Sequence, residues 1–511
     1  VGTASCRIVD VETPRLLAPL STATVTSHRP RLSWILAGQD DGAEVDICAD
    51  RACSKMLTTF SAVGTSGMPS VSLAAGVYFW RARGSESGIV GADTSAVWQL
   101  IVPARDAPTN TAWGSTFDGN GDGFADVVIG VRDTDQFAIG SSGAAYFYAG
   151  GPSGPDATPL STLANPSNDD SAIVASAGDV NGDGFADLAV GCPDANGSAG
   201  LVSIYLGSSG GPVAPSAVFH AATNEFEYGA WISHAGDING DGYGDLLVSK
   251  IVGASRVVQI FLGGPTGLTA SNTLLSGGAL VALTAASDVN ADGFTDVLVA
   301  KWGEPNSNAG AVDEYLGGPS GLPSSPSATY AFTGNVQDFF VVNLAEVGDV
   351  NGDGYGDVIA GNDDLGTLTL LLGSPSGLVV STTLHNPGSQ PDFGIRLAGG
   401  HDIDHDGFDD VIVGAPGFPS PTVYVYFGAA SGLVTTPLIL SPPADGALGS
   451  FGDPVAGAGD VDGDGFDDLM IGGLGTPGAA WFYRGAKNRS LTKSVTFTGP
   501  ANDFDFSDSL L

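Results

Sequence analysis

Asp179-Val-Asn-Gly-Asp-Gly-Phe-Ala-Asp187, followed at once by the apolar run Leu188 to Val190, is the stretch from which the rest of the chain is read. It sets oxygen-bearing side chains at loop positions 1, 3, 5 and 9 (Asp179, Asn181, Asp183 and Asp187), with Gly184 at position 6 to turn the chain back. Ca2+ takes six to eight oxygens in flexible geometry, so these four side chains and the backbone carbonyl of Phe185 form a candidate hard-cation cage. The helix-loop-helix calcium motif closes with Glu at position 12, whereas position 12 here is Val190, inside a predicted strand. The spacing therefore predicts a calcium loop within a β-hairpin.

The loop recurs at intervals of 51 to 61 residues, beginning at Asp118, Asp179, Asp237, Asp288, Asp349, Asp402 and Asp460. In the first copy the predicted ligands are Asp118, Asn120, Asp122 and Asp126 with the carbonyl of Phe124. The third has Asp237, Asn239, Asp241, Tyr243 and Asp245, and the fourth Asp288, Asn290, Asp292, Phe294 and Asp296. The fifth has Asp349, Asn351, Asp353, Tyr355 and Asp357. In the sixth and seventh, position 3 is Asp: Asp402, Asp404, Asp406, Phe408 and Asp410, then Asp460, Asp462, Asp464, Phe466 and Asp468. One such stretch reads equally well as an Asp/Gly turn. Seven in a single register, each with an apolar residue at position 12, predict about seven bound Ca2+, most simply structural.

A repeat filling about 400 of 511 residues implies one large repeat domain with a smaller unit before it. Gly and Pro number 106 with no collagen period, and only 14% of residues are charged, which marks a turn-rich all-β class. Net charge is −38, and 23 of the 56 acidic residues sit at predicted ligand positions, so seven divalent ions would bring the charge to −24. Eighteen scattered Lys and Arg offer no basic footprint, which argues against nucleic acid and anionic lipid as partners. No apolar run reaches membrane-span length, and a chain beginning at Val1 reads as mature or trimmed.

Cys48 and Cys53 are close enough to bridge across a short turn; a pair of free thiols in a cytosolic protein is the alternative. Cys6 and Cys192 have no evident partner. Residues 1–105 carry no calcium loop. Their strand-like runs (Arg31 to Trp34, Ala43 to Cys48, Gly76 to Arg83 and Val97 to Val102) predict a small β-sandwich, with Trp34 and Trp80 in its core. The order of Pro-x-Leu-Ser-Trp34, the close Cys pair, Tyr-Phe-Trp80-Arg and Ser-x-x-Trp98 resembles fibronectin type III domains. Residues 106–112 read as a linker, and 113–511 as the repeat domain.

Each loop is followed by an apolar strand, a variable stretch and a second strand in a frame such as Gly200-Leu-Val-Ser-Ile-Tyr-Leu-Gly207. A turn such as Gly318-Pro-Ser-Gly-Leu322 and an edge-like segment complete a four-stranded antiparallel unit. Seven four-stranded units predict a β-propeller. The units resemble FG-GAP repeats, the blades of integrin α-subunit propellers and of many bacterial secreted proteins. Phe393-Gly394 and Gly414-Ala-Pro416 carry that resemblance in the sixth unit, Phe451-Gly452 and Tyr228-Gly229 elsewhere. It implies calcium loops between the first two strands of each blade, on the face away from the ligand. The position-7 aromatics are read as packing between blades. The first unit lacks the segment that precedes its loop, so residues 494–511 are expected to supply a strand to it.

The resulting expectation is an extracellular or cell-surface, calcium-stabilised binding or adhesion protein with an unknown protein or glycan as partner. Recognition is assigned to the variable loops opposite the calcium loops, including 131–142, 192–199, 250–255, 301–309 and 415–420; Trp302 reads either as a stacking platform for a sugar ring or, equally well, as packing on the neighbouring blade. No nucleophile elbow, zinc spacing or paired base appears among the six His, so the chain is expected not to be an enzyme. The alternative is a secreted polysaccharide lyase or hydrolase on a calcium-bearing propeller.

Overall fold

The computed structural model describes residues 11–511 except 104–105, 108–109, 111, 115, 133–142, 165–171, 276–278, 303–308, 334–341, 364, 389, 391, 445–448, 475–477 and 500–504. Cys6, most of loops 131–142 and 301–309, and the side chain of Trp302 fall outside the described residues. Cys48 and Cys53 are joined by a disulfide, and Cys192 is buried.

Among the described residues seven sheets of four-stranded form follow one another from residue 127 onward, the third carrying one extra short strand. In the second sheet the order is Ile173–Gly178, Asp187–Cys192, Leu201–Tyr205 and Ala217–His220, all antiparallel. The Asp179–Asp187 loop joins the first two strands. Where the first strand meets the loop its register slips at a glycine in the left-handed region, as at Gly178, Gly236, Gly348 and Gly459 (φ +59° to +69°).

The second strand of most sheets is an apolar run because both of its faces are covered; those of the third and fourth sheets include Ser249-Lys250 and Lys301. Asp187–Cys192, Asp357–Asn362, Asp410–Ala415 and Asp468–Gly473 are buried along their whole length. Side chains alternate across a strand, so one strand feeds two cores. Leu188 and Val190 pack with Phe147 and Val128 of the first sheet, while Ala189 packs with Leu246 and Phe261 of the third. The pattern repeats at each junction and ends by joining the last sheet to the first, where Met470 and Phe482 meet Val127, Ile129 and Tyr148. The propeller core is thus a set of interfaces, and no sheet has a core of its own.

The ring closes through the C-terminal strand. Asp505–Leu510 pairs with Val127–Arg132 and forms the inner strand of the first sheet. Segment 494–511 is divided: Thr492–Thr498 remains the outer strand of the seventh sheet, and only the last strand crosses over.

Residues 15–113 form two further sheets. Arg15–Ala18, Leu32–Ile35 and Ser66–Gly67 make one; Ala112–Trp113, Ala23–Val25, Trp98–Val102, Gly76–Glu86, Gly42–Cys48 and Met56–Val63 make the other, with Ile89–Val90 paired to Gly76–Glu86 beside them. Trp34 and Trp80 are fully buried between them, and Trp80 stands edge-on to Trp98 at 6.0 Å. Ala112–Trp113, on entry to the propeller, still pairs with Ala23–Val25.

Candidate metal centre

The second loop shows how the sequence shapes each site. Asp179 Oδ1 accepts the N–H groups of Gly182 and Asp183 (2.7 and 3.1 Å), and its Oδ2 accepts that of Gly184 (2.8 Å). Asn181 Oδ1 accepts Asp183 N–H, and Asp183 Oδ1 accepts Phe185 N–H. Short polar side chains thus wind the backbone around their own oxygens. Positions 4 and 6 both take a left-handed conformation, the second always Gly (φ +83° to +96°). Position 4 is Gly in five loops, but Ala291 and His405 adopt φ +55° and +56° there.

Position 9 ties the loop to the sheet. Asp187 Oδ2 accepts Val180 N–H at 2.9 Å, while Oδ1 accepts Gly207 N–H at 2.8 Å from the far end of the third strand. The same strap appears at Asp126 with Gly150, Asp245 with Gly263, Asp296 with Gly317, Asp357 with Gly373, Asp410 with Gly428 and Asp468 with Gly485. A Cβ on Gly207 would lie 2.5 Å from the Ala186 carbonyl, which explains why this residue has no side chain.

Burying these carboxylates is costly. Burial, the largest cause, with repulsion from Asp179 and Asp183 added to it, pushes Asp187 up to about 7 against hydrogen bonds from Gly207 and Val180. Burial likewise raises Asp288 to about 7 and Asp357 to about 8, and carries Asp245 and Asp296 well above the carboxylate range. Among the described residues no Lys, Arg or His pairs with a carboxylate of loops two to five. Ligand oxygens of Asp402, Asp404 and Asp410 lie within 4.8 Å of one another, as do those of Asp460, Asp462 and Asp464. Oxygen-only donors, in loops two to five without a cationic partner among the described residues, fit a hard divalent cation.

Sequence reasoning missed that each loop is also a joint. The position-8 N–H donates to the position-1 carbonyl of the preceding loop: Ala186 to Asp118, Gly244 to Asp179, Thr295 to Asp237, Gly356 to Asp288, and round to Ala125 with Asp460 (2.8 to 3.1 Å). A second circle runs to the position-2 carbonyls, as from Ser208 to Gly119 and Gly264 to Val180. Buried side chains at position 8 strengthen three joints. Thr295 Oγ1, Asp409 Oδ2 and Asp467 Oδ2 accept the N–H groups of Asp237, Asp349 and Asp402 at 2.7 to 3.0 Å. Their signal was a polar residue where other copies have Ala or Gly. The position-7 ring lies over position 4 of the preceding loop: Phe185 on Gly121, Phe408 on Gly352, Phe124 on Gly463, and Phe466 edge-on to His405 at 5.7 Å.

Two residues expected to belong to recognition loops are tied within their own sheets. Lys301 Nζ lies 2.5 Å from Asp313, and Lys250 Nζ 2.8 Å from Glu225.

Models of the FG-GAP-like repeat and the FG-GAP repeat match residues 179–248 and 393–432. Integrin alpha-7 of Rattus norvegicus is 35% identical over 148 residues, 27% of this chain and 13% of that protein. Integrin alpha-V of Gallus gallus is 29% identical over 248 residues, 43% of this chain and 22% of its own length. These matches span less than a quarter of the relatives. Among solved structures, a Pseudomonas aeruginosa periplasmic gluconolactonase aligns over 75% of this chain and 98% of its own (TM-score 0.47, 12% identity). A Bacillus licheniformis rhamnogalacturonan lyase aligns over 97% and 92% (TM-score 0.39, 13% identity). The expectation that the chain is not an enzyme does not stand: enzymes are among its structural neighbours, and missing sequence motifs do not rule out an active site on such a scaffold. With FG-GAP repeats matched at residues 179–248 and 393–432, in sheets that close into a ring, the chain has the build of an integrin-like FG-GAP β-propeller.

Proposed function

We propose that this is a calcium-stabilised binding or adhesion protein, secreted or displayed at the cell surface, with a fibronectin type III-like sandwich ahead of its propeller. The observation that carries the metal half is the set of buried carboxylates in loops two to five with no cationic partner among the described residues. Each loop supplies its position 1, 3, 5 and 9 side chains and its position-7 carbonyl. Calcium, when bound, supplies the positive charge that these oxygens otherwise lack. The residues themselves wind the loop, strap it to the third strand through position 9, and pass a carbonyl to the next sheet. The adhesion half is supported by the integrin matches, and it assigns a protein or glycan partner to the turns on the opposite face.

Isothermal titration of the chelated chain, with thermal unfolding in parallel, tests the first half; about seven ions and a large rise in melting temperature are expected. One or two ions with unchanged melting would sink it. For the second half, candidate proteins and glycans are screened against the parent and against a chain with the exposed turn 252–254 replaced. Loss of binding at unchanged melting temperature is expected. Release of new ends from a polysaccharide would move the assignment to a polysaccharide-active enzyme.

A further inference from the structure

Loops six and seven differ from the other five in having Asp at position 3, and each extra carboxylate meets a guanidinium from the seventh sheet region. Arg489 Nε lies 2.5 Å from Asp404 Oδ2 and its Nη2 3.0 Å from Asp406 Oδ2, while Arg484 Nη1 lies 2.6 Å from Asp462 Oδ2. These arginines offset the charge added at position 3; the sixth loop also faces a further buried carboxylate, Asp467, whose Oδ2 accepts the Asp402 N–H at 3.0 Å.

The sixth loop also has a second guanidinium, and it comes from the sandwich. Arg51 Nη2 lies 2.7 Å from Asp402 Oδ2 and 2.6 Å from Gln99 Oε1. Its Nη1 is 3.1 Å from the ring nitrogens of His405, and its guanidinium lies over the Phe79 ring at 5.0 Å. Arg51 and Asp402 are both largely buried, so the pair is held away from solvent. Arg51 belongs to the turn Cys48-Ala-Asp-Arg-Ala-Cys53, which the disulfide closes, so the loop that presents it is short and covalently braced.

The guanidinium packs beside the Gly407 backbone, where a Cβ would make an ordinary contact with Arg51 Nε at 3.4 Å. Charge favours the same contact. Residues 1–105 hold nine Lys or Arg and nine Asp or Glu, so the whole net charge of −38 lies on residues 106–511. Arg15 makes a lesser contact with the first loop, donating to the Asp122 carbonyl at 2.6 Å and covering the Phe124 ring. Among the described residues only the sixth loop forms a close carboxylate ion pair with the sandwich; the Asp122 and Asp118 carboxylates act on Arg15 from farther away.

We propose that the sixth loop is the socket in which the propeller holds the sandwich, and that Arg51 and a divalent cation draw on the same carboxylate, Asp402. Docking and metal binding at this one loop then oppose each other, because two cations sharing a buried carboxylate repel. The opposition is reciprocal: metal loosens the sandwich by the factor by which the sandwich weakens metal. This second clause rests on the calcium reading; the socket does not.

The test uses the full chain, its Arg51→Gln variant and, as control, Arg81→Gln, whose partner Asp46 lies within the sandwich. Hydrogen exchange is followed in peptides 49–54 and 402–408, and calcium binding by titration. Arg51→Gln is expected to raise exchange in both peptides in chelator and to tighten one calcium site about five- to tenfold. In the parent, saturating calcium is expected to raise exchange in 49–54. Unchanged exchange at 402–408 in Arg51→Gln would overturn the socket. Identical calcium isotherms for the two proteins would overturn the opposition. If neither protein binds calcium while the variant still frees both peptides, the socket stands and the calcium reading falls.

Discussion

Single residues carry the electrostatics of the loops. In the metal-free protein burial raises Asp187 and Asp288 to about 7 and Asp357 and Asp460 to about 8, from 3.8. A carboxyl that holds its proton more tightly when folded contributes stability that is full below pH 3.8 and is lost as pH rises through 7 to 8. Melting temperature in chelator is therefore expected to fall between pH 5 and pH 8. In calcium the dependence is expected to reverse over the same range, since the metal binds the ionised form. Scanning calorimetry in both solutions checks it, and equal slopes would count against metal at these residues. Left-handed backbone gives a second prediction. Ala291→Gly relieves the strain at φ +55° and is expected to raise stability by about 1 kcal/mol in urea unfolding. Gly207→Ala forces a methyl against the Ala186 carbonyl and is expected to cost about 1–3 kcal/mol in the same assay.

Among the elements, the C-terminal strand has the largest expected effect. Deleting residues 505–511 uncovers one edge of the first sheet and removes Leu510 from the core shared with the seventh, so the single melting transition is expected to broaden or split. A single transition at the parent temperature would show that closure adds nothing. The elements differ in how well their sequences announce them. Asp187–Cys192 and its counterparts are readable because burial on both faces leaves only apolar residues. Met56-Leu-Thr-Thr-Phe-Ser-Ala-Val63 was not read as a strand, because an exposed edge strand accepts Thr and Ser and gives little hydrophobic contrast. The ligand positions are plain in the sequence as a periodic pattern of oxygens. The straps at Gly150, Gly207 and their equivalents join residues 16 to 24 apart and become visible only once the third strand is placed. Arg51 and Asp402 are 351 positions apart, and no local spacing could have connected them.

At the scale of the molecule, stability resides at the junctions. Each core cluster of the ring is shared by two sheets, and each loop passes backbone bonds to the next, so adjacent loops are mechanically joined. Calcium binding is therefore expected to be positively cooperative, with a titration steeper than seven independent sites allow; a curve fitted by identical independent sites would show the joints to be passive. The seam of the ring has a further property. Leu511 leaves the first sheet beside Val128, the two exchanging both backbone bonds at 2.9 and 3.0 Å, near the end where strand Val127–Arg132 begins. Tension drawn between Leu511 and the loop starting at Asp118 acts at one end of an antiparallel pair and opens its bonds in succession, not together. A ring that resists heat through shared cores would yield to a small pull at this seam.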